Sequence, residues 1–291
     1  MRVRWPTADT FTSPPYFPHP LMFEPLMVME LAVLGLGAGL LAGMLGIGGG
    51  MLIAPFVSII LERRGVGTDI SVKMAIATSM AMIVFTSLSS VRAHHQRGTV
   101  RWDIVKAMAP GIALGGALAS AGLFAILKGS ALSLIFAGFV GFSATQMLLN
   151  RQPKANRELP GWKGQTLAGS AIGFLSGLVG AGGGFVSVPY MVAHNVVILN
   201  AVSTSAALGF PIAFFNTIGY IVSGWHNEAL PPWSLGYVWL PGLLVTAFCS
   251  VWTAPLGAKL AHRLNLVMLK RLFAIMLYGL CAYMAHKGLN A

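Results

Sequence analysis

From Val28 onward the chain alternates long apolar runs with short polar joints. The runs cover 28–47, 51–61, 74–92, 104–127, 130–149, 165–181, 185–199, 201–223, 235–256 and 266–285. Their apolar residues are continuous and do not alternate with polar ones, which predicts helices and excludes the strands of a membrane barrel. At roughly 20 apolar residues per crossing, the length accommodates about eight to ten membrane segments. Runs 51–61 and 185–199 are too short to cross as straight helices. Each begins just after a glycine triplet, Gly48-Gly49-Gly50 or Gly182-Gly183-Gly184.

The chain matches itself around those triplets. The stretch Gly39–Pro55 aligns without a gap on Gly173–Pro189, with eight of seventeen positions identical at an offset of 134. After a shorter second loop, Ala75–Ala81 aligns on Ala201–Ala207 and brings Thr78-Ser79 onto Thr204-Ser205; later, Pro110-Gly111 pairs with Pro241-Gly242. A glycine-rich match followed by a Thr-Ser match in the same order marks a duplication, with a first repeat at 28–150 and a second at 164–286. The fold class expected is an all-α, polytopic helical membrane protein, each repeat containing one helix interrupted by a glycine triplet.

Composition agrees with this pattern. Hydrophobic residues make up 56% of the 291, charged residues only 9%, and the mean hydropathy is +0.74. A soluble domain carries about 25% charged residues, so a water-facing surface cannot be assembled here. The net charge of +11 would suit a nucleic-acid binder, but the basic residues sit in short joints between apolar runs. That is the pattern of cytoplasmic loops, and no nucleic-acid partner is expected. Placing the loops around 92–106, 150–164 and 259–271 inside puts 12 of the 19 Lys and Arg there and 7 outside. Five segments then separate each element from its copy, so the repeats are expected to be inverted, with both termini outside. Trp102, Trp162, Trp225 and Trp233 lie at segment ends, as interfacial anchors do.

Residues 1–27 differ from the rest: Pro6, Pro14, Pro15, Pro18, Pro20 and Pro25 break a polar stretch without a signal-peptide core. A disordered proline-rich tail is expected there. Cys249 and Cys281 lie in apolar runs without metal-ligand spacing.

Inverted repeats with interrupted helices are the pattern of secondary transporters, which bind substrate near the bilayer midplane. Three successive glycines weaken a helix by about 1 kcal/mol each and open backbone angles closed to other residues. The short helix after each triplet starts with unpaired N–H groups and a positive dipole end, which suits an anion. The candidate binding residues are therefore Gly48, Gly49, Gly50, Gly182, Gly183 and Gly184, with the hydroxyls of Thr78, Ser79, Thr204 and Ser205. Asn200 is a further candidate, as is Asn216. Gly39, Gly43, Gly46, Gly173, Gly177 and Gly180 are spaced for helix packing. Asp69, Asp103, Glu158 and Glu228 lie at segment ends or in loops, and Glu30 near the start of the first run. The absence of a mid-membrane carboxylate argues for a neutral or anionic substrate. No catalytic motif or P-loop is present, and no enzyme activity, cofactor or metal is expected.

The doubled glycine motif, each copy followed by an Ala-rich Thr-Ser segment, resembles the TauE/SafE sulfite-exporter family over Leu31–Tyr283. The resemblance implies passage of sulfur-containing or organic anions, such as sulfite, sulfoacetate or related sulfonates, across the bacterial inner membrane, with export as the expected direction. The expected partners are a small anionic substrate and the lipid bilayer, with a homodimer as a further expectation. Two rival readings are an assembly subunit whose glycines only pack, and a lipid-modifying enzyme using His94 and His95.

Overall fold

The computed structural model describes residues 24–45, 49–149, 157–260 and 266–290. Most of the expected tail, and Gly46 and Gly48 of the first glycine motif, lie outside the described residues. The tail's last residues are helical: α1 (Pro25–Leu45) starts on Pro25, whose missing N–H costs nothing at a first helical position.

The first half continues with α2 (Gly50–Arg63), α3 (Thr68–His95) and α4 (Trp102–Ala117). A π-helical turn (Leu118–Leu123) then leads into a short α5 (Phe124–Ile126), followed by α6 (Gly129–Leu149). The second half holds α7 (Trp162–Val179), α8 (Gly184–Ala193) and α9 (Ile198–Gly224). A two-stranded hairpin, β1 (Ser234–Leu235) and β2 (Val238–Trp239), precedes α10 (Leu240–Leu260) and α11 (Leu266–Leu289). Among the described residues seven helical spans are long and apolar enough to cross a membrane. The 18-residue α7 is more polar, carrying Lys163, Gln165, Thr166 and Ser170, while α2 and α8 are the two short helices expected after the triplets.

Two boundaries differ from the sequence reading. Helix α3 starts at Thr68 and not near 74, which puts Thr78 in its third turn. The run at 235–256 opens as a hairpin pairing Ser234 with Trp239 and Leu235 with Val238. Gly236 turns it with φ +54, an angle that favours glycine.

Glycine seams hold the bundle. On α1 a Cβ at Gly35 or Gly39 would strike the backbone of Thr246 or Ser250 of α10, and one at Gly257 that of Leu40. On α4, Gly111 and Gly115 meet Thr166 and Ser170 of α7 in the same way. Both pairs therefore run parallel, each joining an element of one half to an element of the other. Such close backbone approach is how helices associate where lipid removes the hydrophobic drive.

Two ends of the bundle can be told apart. At one, α1 begins, α2 and α11 end, and Glu62 accepts from Lys287 at 2.7 Å. There Arg63 pairs with Glu30 at 3.7 Å and Arg64 with Glu24 at 3.6 Å. At the other, α4 and α9 begin, and Thr99 donates to Ser203 at 2.8 Å beside Arg101. Helix α7, parallel to α4, also starts at this Arg101 end, whereas α1 starts at the Glu62 end.

Candidate functional site

Both triplets break their helices through a left-handed glycine. Gly49 caps α2 with φ +68 and Gly183 caps α8 with φ +74. Gly180 ends α7 with φ +72, so it terminates the helix as well as packing against Ile76 and Ser79 of α3. Gly39, Gly173 and Gly177 do pack against neighbouring helices. The two breaks touch: a Cβ on Gly50 would lie 2.5 Å from the carbonyl oxygen of Gly180. Ser79 donates to that same oxygen at 3.1 Å and to Ile76 O at 2.8 Å.

The threonines of the Thr-Ser pairs are committed to the backbone. Thr204 Oγ1 accepts the N–H of Arg101 at 3.0 Å, at the residue before α4. Thr78 Oγ1 accepts the N–H of Trp239 at 2.9 Å, at the residue before α10. Each fixes the start of a helix in the opposite half, satisfying a donor that the helix itself leaves unpaired.

Ser205 behaves differently. Its Oγ receives the Ser187 hydroxyl proton at 2.8 Å, which leaves its own proton for another acceptor. Ser205 and Gly182 line a narrow cleft with Thr86, Ser87 and Ser90 of α3, closed by Ala42, Ile83, Ala206 and Gly209. The cleft brings together residues of α1, α3, α9 and the α7–α8 break, on the Arg101 side of the glycine contact. Its lining contains hydroxyls and no carboxylate. Thr86 and Ser87 turn their protons back to Met82, Ile83 and Val84 of their own helix, bonds that a hydroxyl exchanges by rotating.

Of the sequence candidates, then, Gly182 and Ser205 line the cleft; Gly49, Gly50, Gly183 and Gly184 form the breaks beside it. Ser79 ties the breaks together. Thr78 and Thr204 anchor helices, and Asn200, in the first turn of α9, is not among the lining residues. Thr86, Ser87, Ser90 and Ser187 were not singled out. Their signal was the small polar spacing within α3 and the serine facing Ser205 in α8, where the first repeat has Ile53.

The histidines are held by ordinary contacts. Ser203 bonds His94 Nδ1 at 3.1 Å, Trp102 Nε1 donates to His95 Nδ1 at 3.1 Å, and His194 Nδ1 lies 2.7 Å from Tyr190 O. Among the described residues no group of three or more His, Cys, Asp or Glu could hold a metal. Arg101 makes two bonds to Asp103, at 2.9 and 2.6 Å, which push the guanidinium pKa up and keep it charged.

Comparison with known proteins points the same way. The family model described as sulfite exporter TauE/SafE matches residues 31–284. A probable membrane transporter protein of Haemophilus influenzae is 34% identical over 252 residues, covering 86% of this chain and 95% of the relative. One from Methanocaldococcus jannaschii is 28% identical over 256 residues, covering 84% and 91%. One from Bacillus subtilis is 27% identical over 239 residues, covering 80% and 89%. No solved structure matches the chain.

Proposed function

The chain belongs to the sulfite exporter TauE/SafE family, and from that premise we propose that it exports a small sulfur-containing or organic anion across the bacterial inner membrane. It is a multi-pass membrane transporter; the proposal adds the cargo, its direction and the membrane. Sulfite, sulfoacetate and related sulfonates are the cargo class, carried by secondary transport.

The observation that carries this reading is the hydroxyl-lined, carboxylate-free cleft beside two touching helix breaks. In hydrocarbon, a cation would call for a carboxylate, whereas hydroxyl protons and helix N-termini favour an oxyanion. Each charge-assisted hydrogen bond contributes about 1.5–3 kcal/mol and each helix terminus about 0.3–2 kcal/mol. Several of these, less desolvation, leave about 4–8 kcal/mol, or millimolar to micromolar affinity, weak enough for release. The opposite starting ends of α1 and α7, and the exchange of partners between halves, support inverted repeats that move against one another.

The test is a survey of sulfite, thiosulfate, sulfoacetate, taurine and small carboxylates in proteoliposomes of the purified chain. Movement of a sulfur oxyanion is expected. Movement of a metal cation and of none of the anions would overturn the reading.

A further inference from the structure

The cleft has a counterpart across the repeat relation. Carrying the Thr-Ser register along α3 and α9 matches Thr86 with Ile212, Ser87 with Ala213 and Ser90 with Asn216, and the glycine register matches Ala42 with Ser176. The second half of the chain thus has its own set of equivalent positions, toward the Glu62 end, and that set is closed. Ile212 is packed against Gly183: a Cβ there would lie 2.5 Å from the Ile212 Cδ1 and 3.2 Å from Ser176 Oγ. Beyond it, the Tyr220 hydroxyl donates to Gly177 O, and Phe124 covers Tyr220 at 4.5 Å between ring centroids.

Two polar atoms inside this closed set have no partner. Asn216 is fully buried and Ser176 is 1% exposed, yet Asn216 Oδ1 and Ser176 Oγ make no hydrogen bond among the described residues. The Asn216 amide is oriented by its other end, because Nδ2 donates to Ile212 O at 2.8 Å and Gly173 O at 3.4 Å. Its carbonyl oxygen is therefore the atom left over, beside Gly177. Buried acceptors without partners are costly, and a packed core would have replaced this one by an apolar residue.

We propose that Ser176 and Asn216 form a second half-site that receives the transported anion when the Glu62 end opens. The proposal rests on the reading of the chain as an anion carrier and adds a chemical preference. The Ser176 hydroxyl donates to an oxyanion oxygen, while Asn216 Oδ1 accepts from the ligand. The half-site therefore takes oxyanions that keep an O–H or N–H donor, such as hydrogensulfite, over fully deprotonated ones. Ser90, with a hydroxyl where Asn216 has a fixed carbonyl, makes no such demand at the Arg101 end.

The test uses the full chain with Cys249 and Cys281 replaced, carrying Ser176→Cys or Ser90→Cys, in sealed vesicles of either orientation. The probe is an impermeant sulfonated methanethiosulfonate. Cysteine at 176 is expected to react from the Glu62 end and cysteine at 90 from the Arg101 end, each several-fold more slowly in saturating taurine, a sulfonate that keeps N–H donors and, unlike sulfite, does not cleave the probe. Alongside, Ser176→Ala, which installs the residue found at the matching Ala42, is expected to weaken sulfite uptake from the Glu62 end about tenfold. Uptake from the Arg101 end should fall by less, a sidedness that a folding defect does not produce. No reaction at 176 from the Glu62 end, or equal loss from both ends, overturns the half-site and leaves the carrier reading standing. Failure of the unsubstituted chain to move sulfite, with no protection at 90 either, overturns both.

Discussion

The hydroxyl oxygen of Thr204 accepts the backbone N–H of Arg101 at 3.0 Å, pinning the start of α4 in one half to α9 in the other. Thr78 makes the same bond to Trp239 at 2.9 Å, pinning α10 to α3. Thr78 and Thr204 occupy matching positions in the self-alignment of the chain, and both make this bond. Its job is to seat a helix start within the bundle, part-buried at Arg101 and fully buried at Trp239.

Thr204→Val and Thr78→Val are therefore expected to lower stability by about 1–2 kcal/mol each, the cost of losing a helix-start acceptor and burying a bare N–H. Thr→Ser at either position retains the oxygen and should recover most of the loss. Thermal unfolding in detergent measures this. A valine variant of unchanged stability but with weakened substrate binding would return these hydroxyls to the substrate.

The glycine contacts give a second prediction with an internal control. The sequence reading expects valine at Gly49 or Gly183 to block transport by filling the anion's place in a folded protein. The structure assigns a different cost. Both residues are left-handed, and a Cβ at Gly49 would lie 2.7 Å from the carbonyl oxygen of Ala38. Gly50→Ala would press on Gly180 O and part the two breaks. Substitutions at Gly49, Gly50 and Gly183 should each cost about 1–3 kcal/mol from strain or overpacking and reduce the folded yield. Gly37→Ala, with nothing within 4 Å of the added carbon, should be neutral or slightly stabilising. Size-exclusion profiles and melting curves of the four variants check the contrast.

That contrast shows how far the sequence could be read. Continuous apolar runs and the doubled motif gave the helices and the breaks, because those depend on local hydropathy and on glycine, whereas seven spans among the described residues are long and apolar enough to cross against the eight to ten expected. The pairing of breaks could be anticipated from the repeat, and Gly50 does meet Gly180. The side-chain roles could not. Whether a buried hydroxyl faces a ligand or a backbone donor depends on which helix lies opposite, and nothing near Thr204 in sequence mentions Arg101. Glu62 was passed over for the same reason: its partner Lys287 is the length of the chain away.

For the cleft, Ser205→Ala removes the hydroxyl whose proton is left available by the incoming bond from Ser187. The expected result is about a tenfold rise in KM for the transported anion, from one lost charge-assisted hydrogen bond. Ser187→Ala only withdraws polarisation from Ser205, so a smaller rise, about two- to threefold, is expected. Initial rates in proteoliposomes over a range of substrate concentrations separate the two.

The Glu62–Lys287 pair should behave as a buried charge pair and not as a surface one. Lys287 is 6% exposed and Glu62 26%, and Ser58 and Ser71 complete the cluster with Tyr283 at 3.4 Å. Lys287→Met leaves Glu62 without its cation and is expected to cost about 2–4 kcal/mol, somewhat below a fully buried pair because Glu62 reaches solvent. Adding Glu62→Gln should restore part of that loss. Melting temperatures of the two singles and the double close the cycle.

The last prediction concerns orientation. Seven basic residues are assigned to the outer side. Five of them, Arg63, Arg64, Lys73, Lys128 and Lys287, belong to the Glu62 end, and that end also carries Glu24, Glu30, Glu62, Asp69 and Glu228. Arg63, Arg64 and Lys287 are in ion pairs, and Lys73 donates to Ala125 O while lying over the rings of Phe124 and Tyr237. At the Arg101 end the described residues include nine basic ones, Arg92, Arg97, Arg101, Lys106, Arg157, Lys163, Lys259, Lys270 and Arg271. Orientation follows the number of Lys and Arg in short loops near the membrane ends, to which Asp and Glu contribute little, and the Arg101 end has the larger number. The Arg101 end is therefore expected in the cytoplasm, and the cleft with it. An alkaline-phosphatase fusion after Gln96 should be inactive and one after Glu228 active; the reverse result would turn the transporter over and put the cleft on the outer side.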